Sequence, residues 1–250
     1  MSTPPSLLAD AAVLPENDGM SDEPHAARLV RDDPERPDPG FAELYASLPD
    51  ATDLEPWLGW CRRAAPPVLY LGVGSGRLAV PLVRAGVSLV GVDAHPGMVA
   101  QIRRRLPQIE LFQVLIERLE LDRRFELVMA PSNILNTIAR LKAAARHSSR
   151  WVALELLNPH WLAAGASDGV RVHRMNRTFA KIDVDYPGGW KQEAEVALVW
   201  PEDVERLLEE AGLTLDVMRA AGPATDLHES SSFHVVAQVR EADRLSSHAP

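Results

Sequence analysis

The chain has 250 residues, 46% hydrophobic and 24% charged, with a formal net charge of -9. This length and composition predict one α/β domain with an added segment, because such a chain can bury a full-sized core. The acidic balance argues against a nucleic-acid partner, since that affinity comes largely from clustered Lys and Arg. No apolar run approaches the roughly 18 residues of a membrane span, and no signal-peptide pattern opens the sequence. We therefore expect a cytoplasmic protein without a membrane partner.

Cys61 is the only cysteine of the chain. A single cysteine excludes an intramolecular disulfide and a cysteine-based zinc site. We predict a buried thiol at this position and no metal site.

Residues 1–40 carry seven prolines and many acidic residues, with little apolar periodicity. Such a segment offers too little apolar surface to offset the entropy lost on ordering. We predict a disordered or loosely draped N-terminal tail over 1–40, and a flexible tail over 241–250.

From Phe41 onward the apolar spacing predicts regular elements. Helical spacing covers 41–48 and continues through Leu54, Trp57, Leu58 and Cys61. Strands and helices then alternate as strand 68–72, helix 76–85, strand 87–92, helix 97–106, strand 109–114, strand 125–130, helix 134–146 and strand 151–157. This alternation predicts a doubly wound, mostly parallel sheet of the α/β class, with a short crossover between 109–114 and 125–130.

After Leu157 the pattern changes. Residues 169–200 alternate polar and apolar side chains around a YPGGW turn, which predicts antiparallel hairpin strands inserted at about 165–200. A helix with Pro201 in its first turn and Gly212 at its end follows. Two final strands, 213–219 and 231–239, are joined by a loop too short for a crossover helix, so we expect an antiparallel pair.

Three alternating glycines, Gly72, Gly74 and Gly76, follow the first strand of this sheet. Ligands of open α/β sheets bind at such a turn, where glycine permits positive φ and close approach of the ligand. A tight turn without a ligand is the alternative. The spacing is G-x-G-x-G followed by Arg77, which differs from the G-x-G-x-x-G dinucleotide fingerprint.

Asp93 ends the second strand, beside the glycine turn. A carboxylate at this place accepts hydrogen bonds from ribose hydroxyls, although it can also cap the helix that follows. The ligand predicted by the two features together is an adenosine-like nucleoside without a pyrophosphate.

These residues carry a family resemblance. The segment from Val68 to Val99 resembles the first two motifs of class I S-adenosylmethionine-dependent methyltransferases, and the helix of PEDVERLLEEAGL is similar to their late helix. The resemblance covers about 41–239. The FAELYASL helix, the inserted strands and the length resemble small-molecule enzymes of the glycine N-methyltransferase and amino-sugar N-methyltransferase type. It implies a Rossmann-like methyltransferase domain over 41–240 with the insertion on the acceptor side.

The resemblance also implies site residues. Under it the glycines lie beneath the methionine part of S-adenosylmethionine and Asp93 holds the ribose. The further cofactor-binding residues that it implies are Ala94, Met98, Ile116, Glu117, Ser132 and Asn133. The chain departs from the family pattern at Tyr70, where an acid commonly contacts the cofactor amino group, and at Leu115, where an acid binds the adenine.

Methyl transfer from a sulfonium needs mainly positioning, because the cofactor supplies the reactivity. A hydroxyl acceptor also needs a base, for which His160 is preferred over His173 because it follows the fifth strand, with a surface or packing role as the alternative for both histidines. Tyr45, by resemblance, folds over the methyl group, with core packing as the alternative. Trp161, Tyr186 and Trp190 are candidates for an aromatic wall around the acceptor, with simple packing as the alternative.

The predicted function is transfer of a methyl group from S-adenosylmethionine to a nitrogen or oxygen of a small molecule. One alternative is a protein that binds S-adenosylmethionine without methyl transfer, which the departures at Tyr70 and Leu115 favour. A nicotinamide-dependent oxidoreductase is a third interpretation, disfavoured by the position of the third glycine. A homodimer is considered as the assembly.

Overall fold

A computed structural model describes residues 27–31, 33, 36–166, 169–222 and 226–240. The strands are β1 (Arg28–Arg31), β2 (Val68–Leu71), β3 (Leu89–Asp93), β4 (Glu110–Gln113), β5 (Phe125–Ala130), β6 (Ser148–Leu157), β7 (Val170–Met175), β8 (Phe179–Tyr186), β9 (Trp190–Ala197), β10 (Leu213–Ala220) and β11 (Ser232–Val239). The helices are α1 (Pro39–Ser47), α2 (Trp57–Arg63), α3 (Ala79–Arg84), α4 (Pro96–Arg105), α5 (Ile138–His147), α6 (Pro159–Ala163) and α7 (Val204–Glu210).

A seven-stranded sheet in the order β10-β11-β6-β5-β2-β3-β4 forms the centre of the described structure. Strands β2 to β6 pair in parallel, while β11 pairs antiparallel with both β6 and β10. The chain runs outward from β2 to β4 and then crosses to β5 on the other side. The carboxyl ends of β2 and β5 therefore flank a topological switch point, where open α/β sheets bind their ligands. This confirms the predicted doubly wound, mostly parallel sheet with an antiparallel end.

Both faces of this sheet are covered, which explains why its central strands are continuous apolar runs. Helices α2, α3 and α4 pack on one face, where Trp57, Leu82 and Ile102 meet the sheet. Helices α5 and α7 pack on the other, through residues such as Leu141 and Leu208. The short crossover predicted between β4 and β5 holds only a 3-10 turn at Ile116–Arg118.

A second sheet of four strands, in the order β1-β9-β8-β7, combines β1 with three strands of the insertion predicted at about 165–200. Strands β7, β8 and β9 pair antiparallel, as expected. Their inward residues, among them Ile182, Val184 and Tyr186, form one apolar cluster with Phe41 and Leu44 of α1. The insertion thus packs on the helix that precedes the central sheet.

The predicted tail over 1–40 needs a correction at its end. Residues Arg28–Arg31 form β1, which pairs in parallel with β9, and Asp38 caps helix α1. Val30 is only 1% exposed. The four-residue strand escaped prediction because its partner lies about 160 residues away, and such pairing leaves no local signal. Residues 1–26 and 241–250, also predicted as tails, lie outside the described residues.

Some element boundaries also differ from the sequence prediction. Helix α3 begins at Ala79 rather than 76, and α5 begins at Ile138 rather than 134. In both places the strand end is followed by residues with positive φ, which delay the helix. Both displaced starts border the switch point.

The buried side chain of Val30 allows the contribution of β1 to stability to be tested. We expect Val30→Ala to lower the free energy of unfolding by about 1–3 kcal/mol, because it removes methyl groups from a closed cluster. Leu29→Ala is the matched control: Leu29 is 44% exposed, and its change should stay within about 0.5 kcal/mol. Urea unfolding curves measure both. Equal values for the two variants would show that β1 does not contribute to the fold.

Candidate functional site

The glycine turn after β2 has the backbone that its sequence predicts. Gly72, Gly74 and Gly76 have φ of 69°, 59° and 89°. A Cβ at Gly72 would lie 2.8 Å from the Ile134 side chain, whereas a Cβ at Gly74 would meet nothing within 4 Å. Gly72 and Gly74 line a cavity of about 230 Å³ at the switch point. The turn therefore keeps backbone, not side chains, against this space.

Asp93 stands at the edge of the same cavity, at the end of β3. Its Oδ2 accepts a hydrogen bond from the Gly74 N–H at 2.8 Å, and its Oδ1 accepts one from the His95 N–H at 2.8 Å. Burial raises the pKa of the Asp93 carboxyl, while the His95 and Gly74 N–H groups oppose that rise. Each oxygen keeps one more lone-pair site, so the carboxylate can hold a pair of hydroxyls.

The opposite wall is the loop after β5, in which Ser132 and Asn133 have φ of 66° and 59°. Buried Glu155 of β6 holds this loop, because its Oε2 accepts from the Ser132 N–H at 3.2 Å and its carbonyl accepts from the Asn133 N–H at 3.0 Å. Ser132 and Ile134 line the cavity.

Asn133 does not line it. Its Oδ1 accepts a hydrogen bond from the Leu157 N–H at 3.1 Å, and its side chain is buried between β5 and β6. We infer a structural role, in contrast to the contact expected from the sequence.

The third wall follows β4 and includes Leu115, Ile116 and Glu117. The Glu117 carboxylate binds the Arg140 guanidinium, with 2.8 Å between Oε1 and Nε. Burial is the largest single influence and opposes ionisation of Glu117, but the Arg140 hydrogen bond, a backbone hydrogen bond and the charges of Arg140 and Arg118 together lower the pKa of that carboxyl. Arg140, which the sequence analysis missed, thus fixes Glu117 at the cavity rim.

Helix α1 closes the cavity from above with Phe41 and Tyr45. The two rings lie 4.8 Å apart, and Tyr45 also contacts Tyr186 of the insertion, with ring centroids 6.3 Å apart. Ala94 and Met98, both predicted, lie on the side of α4. Tyr45 thus lines the cavity, and its role over a methyl group stays a prediction.

Tyr70 lies beneath the glycine turn and lines the cavity although it is only 5% exposed. Within the described residues the Tyr70 hydroxyl makes no hydrogen bond. Its oxygen is nevertheless not completely enclosed by protein atoms. The hydroxyl therefore opens onto the cavity. Burial, together with the charges of Glu155 and Asp93, raises the pKa of this phenol, which stays protonated at neutral pH.

The predicted base His160 is not in the cavity lining. Asn158 caps α6 by accepting from the His160 N–H, and the imidazole of His160 lies against Trp200 and 3.1 Å from a Glu202 oxygen. His160 thus lies away from the cavity lining, because its place at the start of α6, rather than at the end of β6, decides where the ring points. His173 likewise binds Asp183, at 2.8 Å.

The three aromatic residues considered for a wall around the acceptor do not line the cavity. Tyr186 is buried and donates to Gln192, while Arg28 stacks on Trp190. Neither of these aromatic residues, nor Trp161, lines the cavity. Phe41 and His95, which the sequence analysis did not select, line it instead.

Comparison with known proteins shows which families this chain resembles. Residues 68–154 match the family model described as a methyltransferase domain. Over these residues, about a third of its length, the chain is similar to that family. It is 28% identical over 159 residues to a demethylmenaquinone methyltransferase of Beutenbergia cavernae, covering 60% of this chain and 66% of that protein. It is 30% identical over 135 residues to a methyltransferase of Synechocystis, covering 54% and 51%. The matches thus span about half to two thirds of these relatives' lengths.

Solved structures share the methyltransferase fold. The CcbJ methyltransferase from Streptomyces caelestis superposes with a TM-score of 0.62 at 21% identity, covering 80% of this chain and 96% of that one. An amino pentose methyltransferase from Micromonospora echinaspora, solved with S-adenosylmethionine, gives 0.56 at 18% identity, covering 74% and 87%. At these identities the likeness establishes the fold.

The glycine turn after β2 generates a prediction. Gly72→Ala should lower the free energy of unfolding by about 2–4 kcal/mol, because the added Cβ is strained at positive φ and meets Ile134. Gly74→Ala should cost only about 1–2 kcal/mol, from the positive φ alone. Chemical denaturation of both variants measures the difference. A larger loss at Gly74 would contradict the geometry of the turn.

Proposed function

We propose that the protein transfers a methyl group from S-adenosylmethionine to a small molecule. The observation that carries the proposal is the Asp93 carboxylate, oriented by the Gly74 and His95 N–H groups at the rim of a cavity with a backbone floor. Ribose hydroxyls need a paired acceptor of this kind. S-Adenosylmethionine, when bound, supplies an electrophilic methyl group on a sulfonium.

The residues present fit this cofactor. Asp93 would hold the ribose, and Ile116, with Glu117 at the rim, would border the adenine. The space above Gly74, which a Cβ would enter, would receive the methionine part. The Tyr70 hydroxyl opens onto the same space and can hydrogen-bond its charged groups. Tyr70 then replaces the acid that the family pattern has at this place.

The lining favours an amine acceptor over a hydroxyl. A hydroxyl acceptor needs a base, whereas an amine has only to arrive neutral. In the described lining His95 is the one histidine, and both of its ring nitrogens are hydrogen-bonded within the protein. One neighbour in fold, with a TM-score of 0.57, is named a glycopeptide N-methyltransferase, and another is named an amino pentose methyltransferase.

The acceptor would enter between α1 and the insertion, beside Tyr45. No helix within the described residues is long and apolar enough to span a bilayer. Absence of nucleic-acid binding, a homodimer and a cytoplasmic location stay predictions. Retention of an oligonucleotide at physiological ionic strength would contradict the first of them.

The first experiment tests nucleoside binding through Asp93. We expect Asp93→Ala to weaken S-adenosylhomocysteine binding by about tenfold to a hundredfold or more, because hydrogen bonds to a charged acceptor are lost. Asp216→Ala, at an exposed site on β10, is the control and should bind normally. Calorimetric titration measures affinity, and circular dichroism confirms folding. Equal affinity in folded Asp93→Ala and wild type would reject the assignment.

Turnover is tested by following S-adenosylhomocysteine release with a panel of amines, phenols and sugars. Release with amines is the expected outcome. Cofactor binding without release across the panel would favour the alternative of a protein that binds S-adenosylmethionine without transferring it. Binding of NADH in place of S-adenosylhomocysteine would favour an oxidoreductase.

A second variant tests the methionine end of the cavity. Tyr70→Phe should weaken S-adenosylhomocysteine by about tenfold to a hundredfold, because the hydroxyl contacts charged groups of its amino-acid part. The same variant should bind 5′-methylthioadenosine, which lacks that part, as wild type does. An equal loss for both ligands, or no loss for either, would show that Tyr70 only packs beneath the turn.

A further inference from the structure

His95 begins helix α4 and uses both ring nitrogens. Its Nδ1 accepts hydrogen bonds from the Gly97 and Met98 N–H groups at 3.1 and 3.4 Å. Its Nε2 lies 3.0 Å from the Asp38 carbonyl oxygen. Because a carbonyl only accepts and Nδ1 receives N–H donors, the ring is the neutral tautomer with its proton on Nε2.

The carbonyl that His95 binds belongs to Asp38, the residue directly before α1. The Asp38 side chain caps α1 by accepting from the Gly40 N–H at 2.9 Å, and it also accepts from the Arg31 N–H of β1 at 3.0 Å. Asp38 therefore connects β1 and α1, and these two elements together with Asp38 are here called the cap segment.

The cap segment also touches α4 closely. A Cβ at Gly97 would lie 2.6 Å from the Ala42 Cβ, so only glycine lets α1 approach α4 in this way. The ring of Phe41 lies 5.9 Å from that of His95. The imidazole is thus enclosed where the cap segment meets the start of α4.

The backbone of the same residue contacts the nucleoside side of the cavity, since the His95 N–H donates to Asp93. An ordinary capping residue such as Ser or Asn would satisfy the start of α4, but it has no second nitrogen to reach the cap segment. The ring therefore does more than cap a helix.

We propose that His95 is a positioning residue that couples the cap segment to Asp93, so that closure of α1 over the cavity and binding at Asp93 stabilise each other. The proposal rests on the proposed function, because it takes Asp93 as the nucleoside contact. Coupling between two places is reciprocal. Cofactor binding then strengthens the placement of Phe41 and Tyr45, and the acceptor side is completed after the cofactor is in place.

Two variants separate the roles of the two nitrogens. In His95→Asn the side-chain oxygen replaces Nδ1 and keeps the helix cap, but nothing reaches Asp38. In His95→Gln the side-chain nitrogen replaces Nε2 and keeps the bridge, but the cap is lost. His173→Asn, a histidine outside the cavity lining, is the control.

Two measurements report the coupling: the dissociation rate of S-adenosylhomocysteine, and amide hydrogen exchange in Pro39–Ser47 with and without that ligand. In wild type and His173→Asn the ligand should slow exchange in this helix. His95→Asn should dissociate the ligand about tenfold faster, from loss of one partly buried hydrogen bond, and should abolish the protection. His95→Gln should keep the protection, with a lower melting temperature.

The coupling is overturned if His95→Asn keeps the wild-type dissociation rate and protection. It is also overturned if bound ligand leaves exchange in wild-type α1 unchanged. If wild type binds no S-adenosylhomocysteine, the proposed function fails instead. The bridge is then judged without ligand: exchange in α1 should still be faster in His95→Asn than in His95→Gln, and equal rates would reject it.

Discussion

The two hydrogen bonds accepted by Asp93 are the constraint on which the site depends. One comes from the glycine turn after β2 and the other from the residue that starts α4, so a single carboxylate connects the ends of two parallel strands. Desolvation of the carboxylate is unfavourable, as its raised pKa indicates, and the N–H groups offset only part of this. A polar ligand with two hydroxyl donors would offset more of it. The apo geometry is therefore suited to receive a nucleoside.

A second buried carboxylate, Glu155, plays the corresponding part on the other side of the switch point. It lies in the apolar run of β6, and it binds the Ser132 N–H and the Ser232 hydroxyl. Residues with positive φ such as Ser132 and Asn133 are strained unless neighbouring groups hold them. Glu155 supplies that restraint, so the loop after β5 keeps its backbone against the cavity. The two sides of the site are thus fixed by one buried acid each.

The sequence predicted the parts of the fold that have local signals. Apolar runs located the parallel strands, and alternating glycines followed by Asp93 located the cavity. The sequence did not predict positions that depend on partners far along the chain. Strand β1 pairs with β9, and the His160 ring contacts Glu202 from the start of the helix that Asn158 caps. His95 had a usable signal, a polar residue directly before Pro96 and Gly97 at a helix start. No sequence signal indicated that its second ring nitrogen hydrogen-bonds to the Asp38 carbonyl.

The contrast between local signals and distant contacts also applies within the proposed site, between its cofactor side and its acceptor side. Apart from Phe41 and Tyr45, the residues that line the cavity lie between Tyr70 and Arg140, most of them at or just after the ends of strands, so short motifs describe them. The cluster around Tyr186 instead joins Val30, Phe41, Met98 and Ile182, which come from the cap segment, α4 and the insertion. Acceptor choice would then be set by how α1 and the insertion pack, rather than by any motif. In the proposed reaction, change in these segments would alter the acceptor while Asp93 and the glycine turn remain as they are, so similarity in fold does not identify an acceptor.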